Sequence, residues 1–348
     1  MPIKPNLLER LAFFTLNAAP GTILDLAGLF SYQAVSTANE LGLFETLAKR
    51  PYSAPALAEH LQLQERGLLT LLEALETLGY IEPQNGRYQN SKMTQKWLIE
   101  DDAFDAEALL FFWNAASRDL APHTAEVIRS GARPFDFYDW VEAEPNRSQA
   151  YQRMLMMNAN MGGADVIKQL ELPDGPTRLL DVGGGHGTYT LLMCQKYRQL
   201  QGVILDDFAG LETGRDRVQE NDLQERVRLQ KGDMFASDWG ENFDMILLFN
   251  VLHQFDLEAG KQLLKKAYDA LKPGGQVAVL DQITGKISGS ATKALIRLVA
   301  LQYYLFADGR VFSRDELSQR AGAAGLGDIR FHNLQRLPGN ALMLASRV

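Results

Sequence analysis

The chain has 348 residues, longer than one ordinary core and suited to about two domains. With 46% hydrophobic and 22% charged residues it is globular rather than disordered, and a net charge of -8 argues against nucleic acid as its main partner. A single cysteine, Cys194, rules out an intrachain disulfide and a cysteine-built zinc cage, and no apolar run approaches the roughly 18 residues of a membrane span.

The segment Leu11 to Ala19 has the look of a signal-peptide apolar stretch. Glu9 and Arg10 directly precede it, however, and amphipathic helix continues after Gly21. It therefore reads as structural, and the protein as cytoplasmic. Residues 1–100 read as mostly helical. Ser53 can cap a helix with Pro55 in its first turn, running through Leu57 to Leu61. A second helix is predicted from Arg66 to Leu78, with Leu68, Leu71, Leu72, Leu75 and Leu78 on one face. Asn85-Gly86 between two short strand-like runs signals a hairpin. Helix, helix and hairpin together suggest a winged helix. A DNA-recognition helix needs Arg, Lys, Asn or Gln toward bases and phosphates, and Arg66 to Leu78 offers Glu73, Glu76 and leucines instead. Packing and dimerisation are the better reading of residues 1–100.

Residues 101–170 read as a helical linker rich in large apolar groups, with Phe111, Phe112 and Trp113 early and Met154, Met156, Met157 and Met161 late. Such stripes are usually core. Trp113, Met154 and Met157 are also candidates to line an acceptor pocket, since ligand sites concentrate between domains. Cys194, further on in an apolar helical stretch, reads as packing. From Thr177 the rhythm changes to alternating strand and helix. The strands "RLLDVG", "GVILDD", "VRLQKGD", "FDMILLFNVL" and "QVAVLDQI" predict a doubly wound, mainly parallel sheet over residues 171–348. A turn at Leu337 to Asn340 closes the chain with a hairpin. The fold class is thus α/β, a Rossmann-like domain behind a mostly α-helical, winged-helix-like one.

The sharpest motif is "LLDVGGGHGTYT", which places Asp181, Gly183, Gly185 and Gly187 at alternate positions after an apolar strand. Glycines there let the backbone turn tightly and approach a ligand, and the following helix offers free N–H groups. The G-x-G-x-x-G pattern of dinucleotide sites fails, because Thr188 or Thr190 falls at its third glycine. No Walker lysine follows either. The pattern D-x-G-x-G-x-G is the spacing of loops that bind S-adenosylmethionine (SAM). The next strand ends in Asp206, where a carboxylate can accept both ribose hydroxyls. The third ends in "KGDMF", where Asp233 can meet the adenine amino group and Met234 can pack on the ring. The expected cofactor is SAM, leaving as S-adenosylhomocysteine, with no metal: His60, His123 and His332 have no clustered partners.

With these motifs in place, the sequence resembles the two-domain O-methyltransferases of the plant caffeic acid and acetylserotonin type and their bacterial relatives. The resemblance runs through "LLDVGGGHG", "LDDF", "GDMF", "NVLHQFD" and "ALKPGGQVAVLD". It implies an N-terminal domain that dimerises, a homodimer, and a small aromatic or polyketide-like acceptor. It makes His253 the general base and Asp281 the acid that orients it; the competing reading of His253 is a strand-end cap. A second acid expected near "DGRVFSR" falls on Val311, an Asp that commonly follows the histidine is Gln254, and a basic residue often found at the fourth strand is Phe249. Phe249 is placed in the cofactor site, and Asn250, Tyr303 and Tyr304 in the acceptor site; Phe306 is a further candidate. His186 is expected to border SAM without reacting. The same fold also hosts hydroxylation, decarboxylation and pericyclic chemistry, so fold does not fix function.

Overall fold

A computed structural model describes every residue except 1–4, 17, 19, 208–209 and 286–288; Asn17 and Ala19 of the apolar N-terminal segment and Phe208 of "LDDF" thus lie outside the described residues. The chain divides into two compact units, residues 1–116 and 117–348.

In the first unit, α1 (Leu7–Phe14) starts on a capping box made by Asn6 and Glu9 and buries none of its side chains. It is followed by α2 (Thr22–Glu40), α3 (Leu43–Lys49), α4 (Ala54–Leu61) and α5 (Glu65–Thr77). Ser53 does occupy the N-cap of α4, but its side chain makes no capping hydrogen bond; Pro55 lies in the first turn. On α5 the residues Leu68, Leu72 and Leu75 are buried at helical spacing, with Leu71 packed at the edge of the same cluster. Strands β1 (Ile81–Gln84) and β2 (Arg87–Asn90) pair antiparallel across Asn85 and Gly86, both with positive φ, the geometry of a tight hairpin turn. The single turn α6 (Lys92–Thr94) widens into Gln95–Glu100, and α7 (Ala106–Asp119) follows.

The second unit opens with α8 (Thr124–Ser130), α9 (Phe137–Glu142) and the long α10 (Pro145–Ile167). Then come β3 (Thr177–Val182), α11 (Thr188–Lys196), β4 (Leu200–Asp206), α12 (Gly210–Glu220), β5 (Val227–Lys231) and β6 (Phe243–Phe249). The chain continues through α13 (Leu257–Ala270), β7 (Leu271–Thr284), α14 (Ser290–Ala307), β8 (Phe312–Ser313), α15 (Arg314–Ala323), β9 (Leu326–Asn333) and β10 (Asn340–Arg347). Among the described residues the strands form one eight-stranded sheet in the order β5-β4-β3-β6-β7-β10-β9, with β8 beside β7. Neighbours from β5 to β7 are parallel; β10 runs antiparallel to both β7 and β9.

Strand alternation sends side chains to two cores. Leu180, Val182, Ile246 and Leu248 meet α13 and α15 on one face. Leu179, Met245, Leu247 and Phe249 meet α10, α11 and α12 on the other, where Cys194 is packed and burial pushes its thiol pKa up. All seven residues of β6 are buried, as a central parallel strand covered on both faces requires. After β3 the chain moves to β4 on one side; it returns later to β6 on the other. The strand order therefore reverses between β3 and β6, and the crevice beyond their carboxyl ends is where such sheets hold ligands.

Candidate active site

The loop after β3 is built for close approach. Gly183 and Gly187 both have φ of +70°. A side chain at Gly183 would meet Val251 Cγ2 at 2.7 Å, and one at Gly187 would meet Ile204 Cδ1 at 2.7 Å, so glycine is required twice over, by conformation and by space. Gly187 caps α11, whose first N–H groups face the turn. Asp181 lies beneath this loop and is 2% exposed; its Oδ2 accepts the Thr190 hydroxyl at 2.7 Å. Burial raises its carboxyl pKa to about 7, only partly offset by that bond. The geometry makes Asp181 a support under the glycines.

Asp206, at the end of β4, accepts the Gly185 N–H at 2.8 Å and so reaches the same turn from the neighbouring strand. After β5, Asp233 is exposed and its Oδ1 accepts the N–H groups of Phe235 and Ala236 at 2.7 Å each. The methyl of Met234 comes within 3.7 Å of where a Gly183 side chain would begin. Three successive strand ends thus converge on one glycine-rich turn, with the Asp206 carboxylate and the Met234 thioether methyl beside it. That cradle suits an adenosyl group: an open turn for the methionyl part, a carboxylate for the ribose diol and a thioether beside the ring.

The base side is set by register. Phe249 on β6 pairs with Leu280 on β7, and the Asn250 N–H continues the ladder to the Leu280 carbonyl at 2.8 Å. Asn250 then takes φ of +56°, an uncommon conformation for a residue with a side chain, and turns the chain back over the sheet. The short turn Leu252–Gln254 follows. It brings His253 onto Asp281: Nδ1 lies 2.8 Å from Oδ1, and the His253 N–H donates to Oδ2 at 3.1 Å. Both residues are buried. Holding Nδ1–H against a carboxylate leaves the Nε2 lone pair as the basic atom. Val251, two residues earlier, is the side chain that touches Gly183, so the base and the glycine loop share a wall.

An O-methyltransferase domain model matches residues 126–327, and an O-methyltransferase dimerisation domain model matches residues 25–100. The chain belongs to the O-methyltransferase family. It is 26% identical over 320 residues to 3-hydroxy-5-methyl-1-naphthoate 3-O-methyltransferase of Streptomyces sahachiroi, covering 89% of this chain and 90% of that one. It is 24% identical over 324 residues to L-tyrosine C(3)-methyltransferase of Streptomyces lavendulae, covering 90% and 88%. A solved structure of PigF with S-adenosylhomocysteine shares the fold, with a TM-score of 0.82 at 21% identity over 93% of this chain and 98% of that one. The enzyme is a SAM-dependent O-methyltransferase.

The remaining predicted residues of this O-methyltransferase scatter. Phe249 is packed in the core, its ring edge-on to Tyr189 at 4.7 Å. Tyr303 of α14 stacks on the His253 imidazole at 4.2 Å and 11°. Tyr304, its neighbour, turns to Arg133, whose guanidinium lies 5.2 Å from its ring. Phe306 stacks on Phe137 at 5.3 Å. Met154 is half-buried and Met157 buried on α10; Trp113 belongs to the first unit, edge-on to Phe112. His186 is half-buried, and its Nδ1 accepts the Thr188 N–H at 3.2 Å. Burial and the Arg217 guanidinium lower its pKa to about 3, which removes it as a competing base. Val311 is buried and brings no acid. Among the described residues no cluster of three or more His, Cys, Asp or Glu is placed to hold a metal, and no helix is long and apolar enough to cross a membrane.

Sequence reasoning missed Tyr138 and Tyr151, which join Gln254, Asn250 and Tyr303 in a group of phenols and amides. Tyr138 of α9 donates to Gln254, whose own amide donates to the Asn250 carbonyl at 3.0 Å. Tyr138 also bonds Tyr151 of α10, which lies within electrostatic reach of both Asp206 and Tyr303. Burial pushes all three phenol pKa values up, so they remain neutral hydroxyls. Aromatic residues at these positions were visible, but nothing local linked residues more than a hundred positions apart.

Proposed function

We propose that this O-methyltransferase methylates a hydroxyl of a small aromatic or polyketide-like metabolite, with His253 as general base, and that it acts as a homodimer. The observation that carries the reading is the His253–Asp281 pair beside the glycine turn. When bound, SAM supplies an electrophilic methyl group on a sulfonium. The Gly183 to Gly187 turn would hold its methionyl part, Asp206 the ribose hydroxyls, and Asp233 with Met234 the adenine. Asp281 keeps the His253 ring oriented and carries the countercharge when Nε2 takes the acceptor proton. A phenol, with a pKa near 10, is mostly protonated at neutral pH and gains from such a base. The surrounding neutral hydroxyls and amides suit an oxygen-bearing aromatic better than a cationic amine. The S. sahachiroi relative is named for a hydroxynaphthoate, which supports this acceptor class.

The homodimer rests on the dimerisation-domain match and on exposed apolar residues of α1 and α2, among them Leu7, Leu8, Phe14, Leu26 and Phe30. The function is tested with SAM carrying a 13C-methyl and a panel of phenols and hydroxynaphthoates, the product read by NMR. A methoxy carbon is expected. Label on a ring carbon or a nitrogen would overturn the oxygen reading.

A further inference from the structure

The base lacks the second acid that the resemblance predicts, because Val311 stands in its place. The other side of the imidazole is nevertheless built. We propose that Tyr303 is a positioning residue for the base: its ring backs the imidazole of His253, fixes its plane and stabilises the imidazolium formed when the acceptor proton arrives. This rests on His253 being the base.

Three observations lead there. First, the two rings are stacked at 4.2 Å and 11°, too close to parallel to be a grazing contact. Second, Tyr303 is fixed from its own side. Its phenol lies near the Gln282 side chain, so adjacent residues of β7 flank the stack: Asp281 holds the imidazole and Gln282 neighbours the phenol. Third, the backbone at the end of α14 closes around His253. Asp308 takes φ of +59° and reverses the chain; the Gly309 N–H donates to the Tyr303 carbonyl at 3.0 Å and the Arg310 N–H to the His253 carbonyl at 2.6 Å. A side chain at Gly309 would begin 2.6 Å from the His253 carbonyl oxygen, so only glycine allows this wrap.

The chemistry follows from the geometry. The acceptor O–H bond would break as its proton goes to Nε2, and an oxygen electron pair would form the new bond to the methyl carbon as the carbon–sulfur bond breaks, its pair staying on sulfur and S-adenosylhomocysteine leaving. The ring then carries a positive charge in a buried setting. Asp281 meets that charge at the ring edge and Tyr303 at the ring face, where the π-electrons are negative. The titratable groups around His253 are Asp281 from β7 and Tyr303 from α14, with Tyr151 from α10 beyond Tyr303. Arg310 contributes its backbone N–H while its guanidinium pairs with Glu316. Burial, Asp281 and Tyr151 raise the Tyr303 phenol pKa, so its ring is a neutral π-face throughout the working range.

The test is the pH dependence of single-turnover methyl transfer at saturating SAM and acceptor, in wild type, Tyr303→Phe, Tyr303→Leu, Tyr303→Met and His253→Ala. Tyr303→Phe keeps the face, and its rate should stay within about threefold of wild type. Tyr303→Leu should lower the plateau about tenfold and move the acid limb to lower pH by about one unit, because the imidazolium loses its ring partner. Tyr303→Met fills the volume without a π-face and should give the same shift, so the test survives if the leucine variant fails to fold. SAM affinity should not change. A methionine or leucine variant with a slower plateau but an unmoved limb would overturn the proposal, since mere loss of packing slows the step without changing the base. If those variants titrate like wild type while His253→Ala is inactive, only the Tyr303 inference falls. If His253→Ala transfers methyl at the wild-type rate, the base reading falls with it.

Discussion

Asp206 illustrates how one carboxylate can serve loop and ligand together. One oxygen accepts the Gly185 N–H, which fixes the turn from the end of β4, and we propose that the same carboxylate meets a ribose diol. Asp206→Ala should therefore weaken SAM and S-adenosylhomocysteine binding by about 1.5–3 kcal/mol, roughly tenfold to more than a hundredfold in Kd. Asp206→Asn should fall between, since an amide oxygen still accepts from Gly185 but carries no charge. Calorimetric titration of the three proteins with S-adenosylhomocysteine checks the order. Equal affinities would remove Asp206 from the cofactor site. The two histidines near the site differ for an equally local reason. Burial, with the Arg217 guanidinium beside it, holds His186 neutral, and His253 hydrogen-bonds the Asp281 carboxylate.

Individual elements carry a second set of consequences. The β3 end places Asp181 under the glycine turn, where its raised pKa makes the element pH-sensitive. Below about pH 4 the carboxyl is protonated in both the folded and unfolded chain, and its contribution to stability is whole. As pH rises through about 7 the folded chain must ionise a buried acid that the unfolded chain ionised near 3.8, and that contribution is lost. Asp181→Asn keeps an acceptor for Thr190 and cannot ionise. The stability of the variant relative to wild type, measured by urea unfolding without SAM, should rise between pH 4 and pH 8 by an amount of order 4 kcal/mol. A difference that stays constant with pH would contradict the account. These β-strand ends are also the part of the site most legible in the sequence. Glycine spacing, terminal aspartates and apolar runs are local signals, and they located β3, β4, β5, β6 and β7. His253 and Asp281 were singled out through the family resemblance, and the structure brings them into hydrogen-bonding contact. Phe249 was assigned to the cofactor site because it falls at the fourth-strand position that the family resemblance singles out, yet strand alternation sends its side chain into the core. Tyr138, Tyr151 and the stacking role of Tyr303 had no local signature, because helices far apart in sequence meet only once the sheet is formed.

For the whole molecule, the unpartnered apolar surface of α1 and α2 is the feature that demands a partner. Leu26 and Phe30 are half or more exposed and one helical turn apart, so they share a face of α2. Light scattering should report twice the 38.8 kDa chain mass for wild type, and Leu26→Glu combined with Phe30→Glu should shift the protein toward monomer. A wild-type chain stable at 38.8 kDa at working concentration would contradict the homodimer. In the second unit one sheet's reversal point puts the glycine turn proposed to cradle SAM after β3 and a carboxylate-held imidazole on β6 and β7, joined through Val251 and Gly183. In the proposed mechanism these halves have separate tasks, binding on one side and proton removal on the other. The most direct measurement pairs calorimetric SAM affinity with single-turnover methyl transfer in His253→Ala. SAM affinity should remain near wild type and the rate should fall by about 10² to 10⁴ at neutral pH, the usual contribution of a positioned base. The rate should recover in part as pH approaches the phenol pKa and solvent supplies the phenolate. A His253→Ala enzyme that transfers methyl at the wild-type rate, with the chemical step shown to be limiting, would contradict the account.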